Sequence, residues 1–102
     1  MAQRKIIWSA LAIASLRDIL LFYKIQNGNA VYSKKLLHQI KESVLLLGDF
    51  PNAGKSTTLS EIRELVLKRN SVFYQITPNQ INILLVWDNR RNPEELLAIL
   101  KS

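Results

Sequence analysis

Hydrophobic and polar positions along the chain change period several times, and each change marks an element. Residues 4–8 (RKIIW) are short and bulky and predict a strand. Ser9 follows as a helix N-cap, because its hydroxyl can accept from an orphan amide two or three residues on. Leu11, Leu16, Ile19, Leu20 and Tyr23 then recur at helical spacing and predict a helix over 10–26. Asn27-Gly28 stops it, since glycine tolerates the left-handed backbone of a helix end. Asn29 opens a second helix over roughly 30–47, with Ser33, Leu37, Ile40, Val44 and Leu47 as its inner face. Lys34, Lys35, Lys41 and Glu42 fall elsewhere on that helix, and His38 lies at the stripe's boundary. So short a turn makes the two helices an antiparallel hairpin.

Residues 48–60 are rich in Gly, Pro, Asn, Ser and Thr and read as loop. Three strand-like runs come next. The first, 62–68 (IRELVLK), alternates partially, and the second, 71–77 (SVFYQIT), puts Val72, Tyr74 and Ile76 on one face. The third, 80–87 (QINILLVW), is apolar enough to lie inside a sheet and be covered on both sides. Arg69-Asn70 and Pro78-Asn79 supply the turns of two successive hairpins. Asn92-Pro93-Glu94-Glu95 is a strong helix start: a capping side chain, proline at the first helical position and carboxylates at the positive end of the dipole. The expected order is strand, helix, helix, three strands, helix, without repeat or linker, in a single domain over 1–102.

Composition narrows the function classes. With 102 residues and 48% hydrophobic content the chain can hold one core. Its net charge is +6, and through Lys55 basic residues outnumber acidic ones eight to three. Such a balance admits nucleic acid, an acidic protein or an anionic surface as partner. There is no cysteine and one histidine, His38, so a disulfide framework, a thiolate metal site and a histidine cluster are excluded, and no cofactor is expected. The apolar run from Ile6 to Leu16 stops at Arg17-Asp18, short of the roughly 20 residues that span a membrane, and an intact cytoplasmic chain is expected.

Gly54-Lys55-Ser56 looks like the tail of a phosphate-binding loop, which needs glycine, four residues, then Gly-Lys-Ser/Thr between a strand and a helix. Five residues separate Gly48 from Gly54, a helix precedes the stretch, and loop then strand follow it. The match is coincidental.

The order and spacing of several weaker motifs give the stretch another context. Ile7-Trp8-Ser9 leads into Ala12, Leu16, Asp18 and Ile19. Pro51-x-x-Gly54-Lys55 precedes Ile62-Arg63-Glu64-Leu65 and Val72-Phe73-Tyr74-Gln75-Ile76. Ile81 to Val86 runs into Arg90-Arg91-Asn92-Pro93. Together they resemble the RelE/ParE superfamily of bacterial type II toxins over nearly the whole chain. The resemblance implies an α+β fold of order β-α-α-β-β-β-α, with a helical hairpin on a twisted, mainly antiparallel sheet. It also implies a growth-inhibiting toxin of a plasmid-stabilisation type system, held by a cognate antitoxin in a hetero-oligomer. RelE-like members cleave ribosome-bound mRNA, whereas ParE-like members poison DNA gyrase without nuclease chemistry.

RNA cleavage by the 2′-hydroxyl needs a base, a cation and an acid. The arginine that precedes the third strand in RelE-like nucleases is matched by Ser71, and the aromatic or histidine after the fourth strand falls near apolar Leu96. No catalytic residue is assigned. Lys55, Arg63, Arg69, Arg90 and Arg91 are candidates for target or phosphate contacts, gathered on the sheet side with no proton-transfer group beside them. Tyr74 and Trp87 read as core, and Asp88 as the residue that orients Arg90. Leu11, Leu16, Leu20 and Leu37 are candidates for the antitoxin surface. The expectation is a ParE-like gyrase poison. The alternatives are a ribosome-dependent mRNA interferase with displaced residues, and a degenerate relative that only pairs with its antitoxin.

Overall fold

The computed structural model describes residues 3–102. Strand β1 (Lys5–Trp8) leads through Ser9 into helix α1 (Ala10–Asn27). The Ser9 hydroxyl accepts from the Ala12 amide at 2.9 Å, the capping bond expected of it. Gly28 closes the helix with φ of +72°, where any side chain would be strained. Asn29 Oδ1 accepts from the Val31 amide at 3.0 Å and starts α2 (Val31–Leu45). That helix ends two residues before the expected Leu47, in one tighter turn over Leu46–Gly48.

The two helices form the predicted hairpin, but each is rotated slightly from the predicted stripe. Ala12, Leu16, Ile19 and Tyr23 face the sheet from α1, while Leu11 stays exposed on the flank. On α2, Ser33, Leu36, Ile40 and Val44 are buried, and Leu37 only reaches the cluster's edge. A methyl at Ala12 lets the α1 backbone approach the sheet, which decides the rotation. Ser33 keeps its place in an apolar face because its hydroxyl donates to the Leu20 carbonyl at 2.6 Å, leaving no unsatisfied group.

After a second tight turn at Pro51–Ala53 come β2 (Lys55–Ser56), β3 (Arg63–Leu67), β4 (Asn70–Ile76), β5 (Gln80–Asp88) and α3 (Pro93–Lys101). The sheet order is β1-β5-β4-β3-β2. Only β1 and β5 run parallel; the other neighbours are antiparallel. Strand β2 lies inside the predicted loop, since two residues carry no period to read. The β3–β4 turn is Lys68-Arg69, one residue earlier than expected, and Asn70 belongs to β4.

Strand β5 is covered on both faces, as the apolar run Ile83–Trp87 requires. Ile81, Ile83 and Val86 join the helical hairpin in one cluster. Leu85 and Trp87 join Ile62 and Phe73 in another, closed by Leu96, Ile99 and Leu100 of α3. The change of parity comes from a bulge: Phe73 pairs with Leu85 and Tyr74 with Ile83, which leaves Leu84 unpaired. Among the described residues, no helix is long and apolar enough to cross a membrane.

Candidate functional site

Strand β1 pairs only with Gln80 to Ile83, so beyond the bulge the outer edge of β5 meets α1 instead of a strand. Backbone groups there need other partners. Ser9 Oγ donates to the Leu84 carbonyl at 3.1 Å, and the Val86 amide donates to Ser15 Oγ at 3.0 Å. The N-cap Ser9 and Ser15 of α1 thus stand in for the missing strand and tie the helix to β5. Between them and α3 lies an open groove of about 630 Å³, lined by Leu11, Phe22, Leu85, Trp87, Arg91 and Ile99 among others. Leu11 is 49% and Phe22 48% exposed in it.

At one end of the groove stands a fixed ionic cluster. Arg90 Nη2 donates to Asp88 Oδ2 at 2.7 Å and to the Tyr23 hydroxyl at 2.9 Å, while Nε donates to Asp88 Oδ1 at 3.1 Å. The Arg90 amide also donates to Asp88 Oδ1. Its guanidinium carbon lies 5.5 Å from the ring centroids of both Phe22 and Tyr23. The Arg90 hydrogen bond holds the Asp88 carboxyl below the usual carboxylate range, against the upward push of burial. The same bond raises Arg90 further above its ordinary value. Asp88 does orient Arg90, as expected. Tyr23, 67 residues earlier in the chain, is the neighbour that local reading missed; its only sequence signal was a place on the inner stripe.

The five candidate cations do not gather on one side of the sheet. Arg63 Nη2 and Nε donate to the Gly54 carbonyl at 2.6 and 3.1 Å, so its guanidinium braces the preceding loop. Lys55 Nζ lies 3.9 Å from Glu64 Oε1, across the β2–β3 pair. Arg69 is exposed in the β3–β4 turn. Arg90 turns toward α1, whereas Arg91 lies over Trp87, 4.3 Å from its ring centroid, and pairs with Glu95 of α3. Consecutive residues leaving a strand point to opposite faces, and that separates the last two. Tyr74 and Trp87 are buried core residues, as read from the sequence. His38 is exposed beside Glu42 rather than at a boundary.

Of the four leucines named for a partner surface, Leu11 is open to solvent, Leu20 and Leu37 are half-buried against the core, and Leu16 is buried within it. The hairpin's exposed apolar surface comes instead from Ile13, Leu21, Phe22, Ile25 and Val31 in addition to Leu11. The Gly54-Lys55-Ser56 stretch enters a strand, and the Gly54 amide donates to the Tyr74 hydroxyl, so it cradles no phosphate.

This arrangement is the α+β fold of small toxins from toxin–antitoxin systems. A solved structure described as the chromosomal ParDE TA system from P. aeruginosa matches with a TM-score of 0.75 at 23% sequence identity. The match covers 84% of this chain and 96% of that one. The sequence model of the ParE toxin of type II toxin–antitoxin system, parDE, matches residues 6–93, and the chain belongs to that family. No curated protein matches it.

Proposed function

We propose that this protein is the toxin of a toxin–antitoxin pair, that it arrests growth by poisoning DNA gyrase in the cytoplasm, and that it does not cut RNA. The observation that carries the second half is the state of its arginines. Arg63 is engaged with the Gly54 carbonyl and Arg90 with Asp88 and Tyr23. In-line cleavage needs a free base and acid at the phosphate as well as a cation. Tyr23, the hydroxyl touching Arg90, is buried at the base of the hairpin.

A cognate antitoxin seats, in this reading, along the groove between α1 and β5. An apolar patch this continuous on so small a chain marks an interaction surface. The net charge of +6 favours an acidic partner segment that lays its apolar side on Leu11 and Phe22.

Two assays test the proposal. Purified toxin is expected to inhibit gyrase supercoiling and to leave transcripts intact in a translation extract. Transcript cleavage with normal supercoiling would make it an mRNA interferase. Neither effect, together with no growth arrest, would reduce it to a partner of its antitoxin.

A further inference from the structure

A second cleft, of about 700 Å³, lies between the helical hairpin and the β3–β4 turn and shares Arg90 with the groove of α1 and β5. We propose that this cleft binds a nucleotide unit, its phosphate held by Lys35, Lys68 and Arg69 and its base stacked on Tyr32. The inference is independent of gyrase poisoning and of antitoxin binding.

Charge is the first argument. Lys35, Lys68 and Arg69 line the cleft, Arg90 closes its inner end, and no carboxylate is among its lining residues. Of these four cations only Arg90 has an acidic partner among the described residues. Lys68 occupies its turn with φ of +54°, a left-handed backbone that glycine would adopt without strain. The chain carries a lysine there nonetheless.

The second argument is an aromatic platform. Exposed Tyr32 lines the cleft and is steadied edge-on by Tyr23 at 4.9 Å between ring centroids. Cations along a groove beside an exposed aromatic ring are the parts that single nucleotides and single strands are bound by.

The test uses the full isotope-labelled chain, made by cell-free synthesis and followed by amide chemical shifts. AMP, a short single-stranded oligodeoxyadenylate and inorganic phosphate are titrated separately. AMP or the oligonucleotide is expected to shift amides on the Tyr32–Gln39 face of α2 and at Lys68 to Asn70. The Lys68→Gly, Arg69→Ala double variant should weaken AMP at least tenfold; its fold is secure because glycine relieves the turn. For the oligonucleotide, losing two phosphate contacts should flatten the slope of log K against log salt by about 1.4. Tyr32→Ala should weaken AMP tenfold or more and leave inorganic phosphate unchanged. Tight AMP with no gain from the longer strand identifies a free nucleotide as the ligand; a large gain identifies a nucleic-acid strand. Either supports the site. Absence of localised shifts up to about 10 mM ligand, binding indifferent to the double variant, or binding of inorganic phosphate alone overturns it. Gyrase inhibition measured on the same variants reports separately on the toxin reading.

Discussion

Tyr74→Phe isolates one hydroxyl that ties the Pro51–Ala53 turn to the sheet. Tyr74 is 0% exposed, and its hydroxyl donates to the Pro51 carbonyl at 2.7 Å and accepts from the Gly54 amide at 2.9 Å. Phenylalanine keeps the ring packing and deletes both bonds. A typical bond contributes about 1 kcal/mol net, and an amide left buried without a partner costs about 1–3 kcal/mol. Gly54 is buried and the Pro51 residue is partly solvated, so the larger penalty applies only to the former. The expected loss is about 2–3 kcal/mol, or on the order of 10 °C or more in Tm for a chain of this size. Gly54→Ala reports on the same contact from the other side. A β-carbon there would meet Tyr74 Oη at 2.6 Å, its Cε1 at 2.8 Å and the Glu64 carbonyl at 2.9 Å. Removing the hydroxyl relieves the first of these clashes and leaves those with the ring carbon and the backbone carbonyl. The double variant should therefore lose less than the sum of the singles. Urea unfolding followed by tryptophan fluorescence gives all three values, and hydrogen exchange at the Gly54 amide should accelerate in Tyr74→Phe. A loss below about 0.5 kcal/mol in Tyr74→Phe would refute the reasoning, since the turn would then be held without the tyrosine.

Two further outcomes can be measured readily. The depressed Asp88 carboxyl contributes stability that is present above its unfolded value of about 3.9 and lost as pH falls through its lower folded value. Asp88→Asn should therefore lower the urea midpoint at pH 7 and approach wild type at pH 3; an unchanged gap would remove Arg90 as the cause. Leu11→Asp places a carboxylate in the apolar groove facing an acidic partner. It should weaken antitoxin binding at least tenfold in calorimetry while moving stability by less than about 0.5 kcal/mol, and undiminished binding would move the interface elsewhere.

Features that act within a few residues were legible in advance. The Ser9 cap, the Gly28 stop and the Asn92-Pro93 start work through their own backbone neighbourhood, and each sits where it was expected. The covered state of β5 followed from its largely apolar run, continuous over 83–87. Rotation of the helices was harder. Where apolar residues adjoin, as at Leu11-Ala12 and Leu36-Leu37, periodicity permits either neighbour to face inward, and the approach of α1 to the sheet chose Ala12 and Leu36. The bulge at Leu84 left no local mark either, because it depends on register against β4.

The candidate site divides along the same line. Which cations exist, and that Asp88 serves Arg90, could be read from neighbours in the chain. Their dispersal could not: Arg63 answers to a carbonyl nine residues away, Arg90 to Tyr23 of α1 67 residues earlier, Arg91 to an indole ring and α3. By itself, then, the order of residues determined the kinds of element, their succession and the family likeness, because capping, turn chemistry and hydrophobic period are local forces. Tertiary structure alone decided which charges remain free and which grooves stay open. Those depend on distances between segments far apart in the chain, and only packing sets such distances.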